Sequence, residues 1–188
     1  MRPIMVDAVN QRILPDHPLP WTLAEVLAMP EEIGPRVELI DGALVLSPGP
    51  GGRHQRVLLR LAVALDKCAP EHLEVLPVVN VVLGPERLLI PDIAVTTCPG
   101  RDALCLEVAD LLMAVEIISP SSRTYDMAQK RVLYADSGIR YYLLVDPNDR
   151  PSSAVLFRLD GDEYVEVTSS KVGRLRFDEP FLADLELP

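Results

Sequence analysis

The chain has 188 residues, enough for one domain with small additions, and its 48% apolar content supplies a substantial core. A net charge of −10 argues against a protein that coats nucleic acid non-specifically, although an enzyme that holds a backbone through a metal and a local basic patch stays open. The three cysteines, Cys68, Cys98 and Cys105, have no CxxC spacing, which argues against a disulfide framework or a structural zinc site and fits a reducing cytoplasm.

Residues 1–20 carry four prolines and no periodicity, and read as an N-terminal arm. Residues 21–188 read as a single domain. The first residues lack the apolar stretch of a secretory signal, and no apolar run reaches the roughly 18 residues of a membrane span. A cytoplasmic location with no membrane partner is expected. Thr22 caps a predicted helix over LAEVLAM, with Glu25 completing a capping box and Pro30 ending it. VELI, Asp41-Gly42 and ALVL predict a β-hairpin, because Asp-Gly suits a type I′ turn. After the SPGPGG loop, Val57, Leu58, Leu61, Ala62 and Leu65 form the apolar face of a helix from about Arg53 to Lys67.

LEVLPVVNVVL, LLIPDIAV and LLMAVEII then read as three successive strand regions, with TTCPGRDALCLEVAD as a loop or short irregular insertion. A second helix is predicted from about Arg123 to Asp136, capped by Ser121 or Ser122 and closed by Ser137-Gly138. YYLLV is a fourth core strand, SAVLFRL and EYVEV a second hairpin, and VGRLRF a further short strand. The order predicts an α/β fold: a mixed central sheet flanked by helices, with added N- and C-terminal β-hairpins.

Two carboxylates interrupt the apolar runs. Asp92 follows Pro91 in the second, and Glu116 stands near the end of the third. Ionised carboxylates are rarely buried without partners, so a shared hard cation such as magnesium is one reading. Surface carboxylates near strand ends are the other. Pro91 implies an edge position or a bulge. Lys130 falls on one helical stripe with Met127, Tyr134 and Ser137. It either snorkels to solvent, pairs with Asp126 at the surface, or points at the two carboxylates. Arg53, Arg56 and Arg60 share another stripe, and Arg123, Lys130, Arg131 and Arg140 lie close in sequence. These are solvated helix faces or phosphate contacts.

PDIAV, VEIISPSS and DMAQKRVLYADSGIRYYLLVDP, in that order, resemble the Uma-type family of "putative restriction endonucleases", within the PD-(D/E)xK nuclease superfamily. The similarity runs from about residue 20 to 168. It implies a restriction-endonuclease-like core and a metal-dependent DNA endonuclease using Mg2+ or Mn2+. It further implies metal ligands at Asp92 and Glu116, with the Ile117 carbonyl as a third. Ile118 stands where the motif lysine would be, so the resemblance moves that role to Lys130. Glu38, in the ELIDG hairpin, and His54, at the start of the first core helix, match the family pattern as assisting catalytic residues. Hairpin-surface and helix-start packing roles are their alternatives. Phosphate contacts are expected from Arg53, Arg56, Ser121 and Arg123. The expected partner is duplex DNA, cut by a homodimer whose two-fold symmetry matches the two strands. A catalytically inactive nucleic-acid- or protein-binding module on the same fold is the alternative. On this view Lys130→Ala leaves the fold intact, and Asp92→Asn leaves stability unchanged or slightly raised.

Overall fold

The computed structural model describes residues 20–29, 36–47, 49–119 and 125–188, the side chains of 125–127 excepted. Pro30, Ser121 and Arg123 lie outside the described residues, as do residues 1–19 of the expected arm. Helix α1 (Leu23–Leu27) has the expected capping box: Glu25 N–H donates to Thr22 Oγ1 and Thr22 N–H donates to Glu25 Oε2. It packs with Trp21 onto Leu39 and Leu88.

Strands β1 (Arg36–Ile40) and β2 (Ala43–Ser47) form the predicted hairpin. Asp41 and Gly42 both have positive φ, 49° and 78°, as a type I′ turn requires. A Cβ on Gly42 would lie 2.5 Å from the Pro20 side chain, so the turn needs glycine for space as well. Helix α2 (Gly52–Cys68) follows, burying Val57, Leu58, Leu61 and Leu65.

The next stretch differs from expectation. LEVLPVVNVVL is two strands, β3 (Glu74–Pro77) and β4 (Asn80–Gly84), and LLIPDIAV is also two, β5 (Arg87–Leu89) and β6 (Ile93–Thr96). β4 and β5 pair in one sheet, while β3 and β6 pair in the other. Between β3 and β6 the chain therefore changes sheet twice. The first change occurs at Val78, a β-branched residue at φ 54°, and the second at Ile90-Pro91-Asp92. Val78 N–H donates to the Asp92 carbonyl at 3.0 Å, so the two corners are tied together. Pro91 thus lies outside any strand, not at an edge or bulge within one, and β6 is interior, between β3 and β8. The lack of an N–H at Pro91 suits a place where one ladder ends before the next begins.

The presumed loop after β6 contains β7 (Cys105–Glu107) and a 3-10 turn (Val108–Asp110), leading into β8 (Leu111–Ile117). The helix before the fourth core strand is a π-helical turn (Tyr125–Lys130) running into α3 (Arg131–Asp136). Then come β9 (Tyr141–Asp146), the hairpin β10 (Ser153–Asp160) and β11 (Glu163–Ser169), and a last hairpin, β12 (Arg174–Phe177) with β13 (Ala183–Glu186).

The six-stranded sheet has the order β11-β10-β9-β8-β6-β3, and the five-stranded one β2-β1-β5-β4-β7. Both are mixed, because β8 and β9 run parallel, as do β4 and β7. One face of the larger sheet, with Ile93, Val95, Met113, Val115 and Leu143, is covered by α2 and the β12–β13 hairpin. The opposite face, with Ala94, Ala114 and Tyr142, meets Tyr134 of α3 and Val81 and Leu89 of the smaller sheet. The fold class is therefore the expected one: a mixed central sheet flanked by helices, with hairpins at both ends. No helix among the described residues is long and apolar enough to cross a membrane.

Candidate active site

Four charged side chains are almost fully buried near the second corner: Glu38, Asp92 and Glu116 at 2% exposure and Lys130 at 4%. Burial this deep rules out the surface readings of Glu38, Asp92, Glu116 and Lys130. β6 pairs with β8 so that Ile93 faces Val115. One step along this antiparallel register sets Asp92 opposite Glu116. Side chains alternate along a strand, so both carboxylates fall on the face that also carries Ala94 and Ala114.

β1 contributes from the smaller sheet. Leu39 packs outward against Trp21, so Arg36 and Glu38 share the inward face. Glu38 Oε1 accepts from the Ile90 N–H at 2.9 Å and lies 3.0 Å from Lys130 Nζ. It braces the corner that leads into Asp92. Lys130 donates at 2.8 Å to Glu116 Oε1, and the Tyr134 hydroxyl donates to the same oxygen at 2.7 Å. Burial, reinforced by Glu116 and Glu38, holds the Tyr134 phenol well above its usual range, so it stays a neutral donor. The i, i+4 spacing of Lys130 and Tyr134 brings both to one carboxylate.

Asp92 has its own partners. Arg36 Nη1 donates to Oδ1 at 2.9 Å, His54 Nε2 lies 3.0 Å from the same oxygen, and the Ile117 N–H donates to Oδ2 at 2.9 Å. Burial pushes the Asp92 carboxyl upward. The His54 hydrogen bond and charge, the Arg36 charge and the Ile117 N–H outweigh this and hold it below the usual carboxylate range. His54 reaches the corner because α2 begins beside it. Arg53, next to it, is exposed and donates to the Pro147 carbonyl, tying α2 to the end of β9. Arg56 and Arg60 are exposed on the same helix.

Sequence reasoning passed over Arg36 and Tyr134 as site residues. Arg36 lies two residues before Glu38, and strand alternation alone places the two together. Tyr134 shares the Lys130 stripe, and its i, i+4 spacing from Lys130 is the signal that could have found it.

The donor set fits a hard divalent ion. Among the described residues no three His, Cys, Asp or Glu side chains cluster as a ready-made metal cage. Magnesium rarely uses such a cage, taking one or two carboxylates with the rest from water and substrate phosphate. Asp92 and Glu116 would hold the ion, with a backbone carbonyl beside them. Continuing the β6–β8 register sets Pro91 opposite Ile117, and proline has no N–H to occupy the Ile117 carbonyl. The Ile117 side chain itself is buried in the core.

This arrangement of sheets and helices is that of a restriction-endonuclease-like protein. A crystal structure from Anabaena variabilis ATCC 29413, described as a "putative nuclease belonging to DUF820", superposes with a TM-score of 0.65 at 22% identity. The match covers 79% of this chain and 84% of that one, and shows a shared fold. The model of the Uma2 family, described as "Putative restriction endonuclease", matches residues 23–188, and the chain belongs to that family. No curated protein matches the chain.

Proposed function

We propose that this protein is a divalent-metal-dependent endonuclease that hydrolyses phosphodiester bonds in duplex DNA. The observation that carries this reading is the buried corner: Asp92 accepts from the Ile117 N–H at 2.9 Å, one residue from Glu116, and Lys130 Nζ lies 2.8 Å from Glu116. Membership of a family described as restriction endonucleases supports it. A bound Mg2+ or Mn2+ would supply Lewis acidity and a more acidic bound water. The chain's own groups do the rest. Asp92, Glu116 and the Ile117 carbonyl hold the ion. Lys130 presents an ammonium to the charge developing on the phosphoryl group, and its burial makes that charge count for more than in water. Tyr134 and Glu38 fix the Glu116 and Lys130 rotamers. His54 steadies Asp92 and stands where it can orient water.

Arg56 and Arg53, with Ser121 and Arg123, are proposed backbone contacts, and a cytoplasmic homodimer is the proposed working form. Residues 21–188 would act as one domain, preceded by an arm. The alternative, an inactive binding module on the same fold, draws on the pairing of both Asp92 oxygens by Arg36, His54 and Ile117. Calorimetric titration with Mn2+ separates the two. A nuclease binds the ion, and Asp92→Asn weakens that binding severely. An unchanged titration for the variant would favour the module.

A further inference from the structure

We infer that Arg36 is a phosphate-binding residue, receiving a non-bridging oxygen of the scissile phosphodiester on its free nitrogen. The inference rests on the nuclease reading and extends it to a residue that the family resemblance did not single out.

The guanidinium is a planar fork that can serve two acceptors at once. Arg36 uses one tine, Nη1, on Asp92 Oδ1 at 2.9 Å. The other, Nη2, is buried and has no hydrogen-bond partner among the described residues. His54 repeats the pattern: Nε2 meets the same Asp92 oxygen, while the buried Nδ1 has no partner among the described residues. An unpaired buried polar nitrogen is destabilising, and here two residues that share one carboxylate oxygen each carry one. Nη2, which can only donate, would be satisfied by an acceptor arriving from outside. Arg36 is a cation, so it selects an anionic oxygen. It stands next to Asp92, where a phosphate bound to the same metal would present one. β1 then has a double role, with Glu38 bracing Lys130 and Arg36 two residues earlier meeting the substrate.

Binding of a labelled duplex with calcium as the ion, measured by fluorescence anisotropy across a salt series, reads this directly. Arg36→Gln should weaken duplex binding about tenfold or more and make the log K against log salt slope shallower by about 0.9. Arg36→Lys keeps the charge without the fork, and should restore the slope but not the full affinity. In a parallel Mn2+ titration without DNA, Arg36→Gln should bind the ion as tightly as wild type or more tightly, because a neighbouring cation is gone. Loss of Mn2+ binding with unchanged duplex affinity would make Arg36 a structural brace of Asp92 and overturn the inference. If wild type cuts DNA while both variants bind it normally, the inference falls and the nuclease reading stands. A wild type that neither binds nor cuts a duplex overturns the nuclease reading itself.

Discussion

Two carboxylates in this molecule each bind two basic side chains, and they differ in almost everything else. Asp184, on the β12–β13 hairpin, accepts from Arg174 at 2.7 Å and Arg176 at 2.9 Å, in the open. Asp92, at the corner before β6, meets Arg36 and His54 at 2.9 and 3.0 Å with 2% of its surface exposed. Hydrogen bonding from Arg174 holds Asp184 below its usual pKa, yet solvent screens that triad and it contributes little to the fold. Burial works against the charge on Asp92, and only its partners keep it ionised. Geometry alone does not separate the two. The environment does: a carboxylate in a dry corner depends on its partners to stay charged, and one on a hairpin surface is kept charged by water as well.

The contrast is broken or sharpened most strongly at Lys130. The ammonium lies between the buried Glu116 and Glu38, so Lys130→Met removes the cation that both carboxylates share. Chemical denaturation should show a loss of about 3–5 kcal/mol, the scale for breaking a buried pair. Cleavage should fall by at least about a hundredfold, as for loss of a preorganised electrostatic group. Adding Glu38→Gln should recover part of the stability and none of the activity. This corrects the expectation that Lys130→Ala would leave the fold undisturbed, which treated the position as an ordinary helix site.

Asp92→Asn comes next. Arg36 loses its anionic partner, so stability should drop by about 1–3 kcal/mol, in place of the neutral or favourable change that repulsion from Glu116 alone would give. A variant as stable as wild type would mean that Arg36 and His54 do not compensate the Asp92 charge. Tyr134→Phe removes one donor from Glu116, and should lower stability by about 1–3 kcal/mol and slow cleavage by about tenfold. At the weak end, Asp184→Asn should leave both the melting temperature and cleavage indistinguishable from wild type. A clear loss in that variant would erase the distinction between the two triads.

Much of this was legible in the residues. Asp-Gly between apolar runs announced the first hairpin, and helical periodicity gave α2 to within a residue at each end. Asp92 and Glu116 stood out because each interrupts an apolar run, and Lys130 because it shares a stripe with Tyr134. The changes of sheet were less legible. Pro77 and Pro91 flag a break beside each corner, but an apolar run reads the same whichever sheet each half joins. Val78 adopts a left-handed conformation that its side chain disfavours, and its N–H is tied there to the Asp92 carbonyl at the second corner. Arg36 was hidden for a related reason. It looks like a loop-end charge until Leu39 is known to face Trp21, which turns Arg36 and Glu38 inward together.

The central claim is that the buried corner is a metal-dependent site for phosphodiester cleavage with Lys130 as its cation. Single-turnover cleavage of a supercoiled plasmid in Mn2+, by wild type and Lys130→Met purified in parallel, tests it most directly. Wild type should nick or linearise the plasmid, stop on addition of EDTA, and outpace the folded variant by at least about a hundredfold. Equal rates for the two proteins, or wild-type cleavage that persists in EDTA, would contradict it.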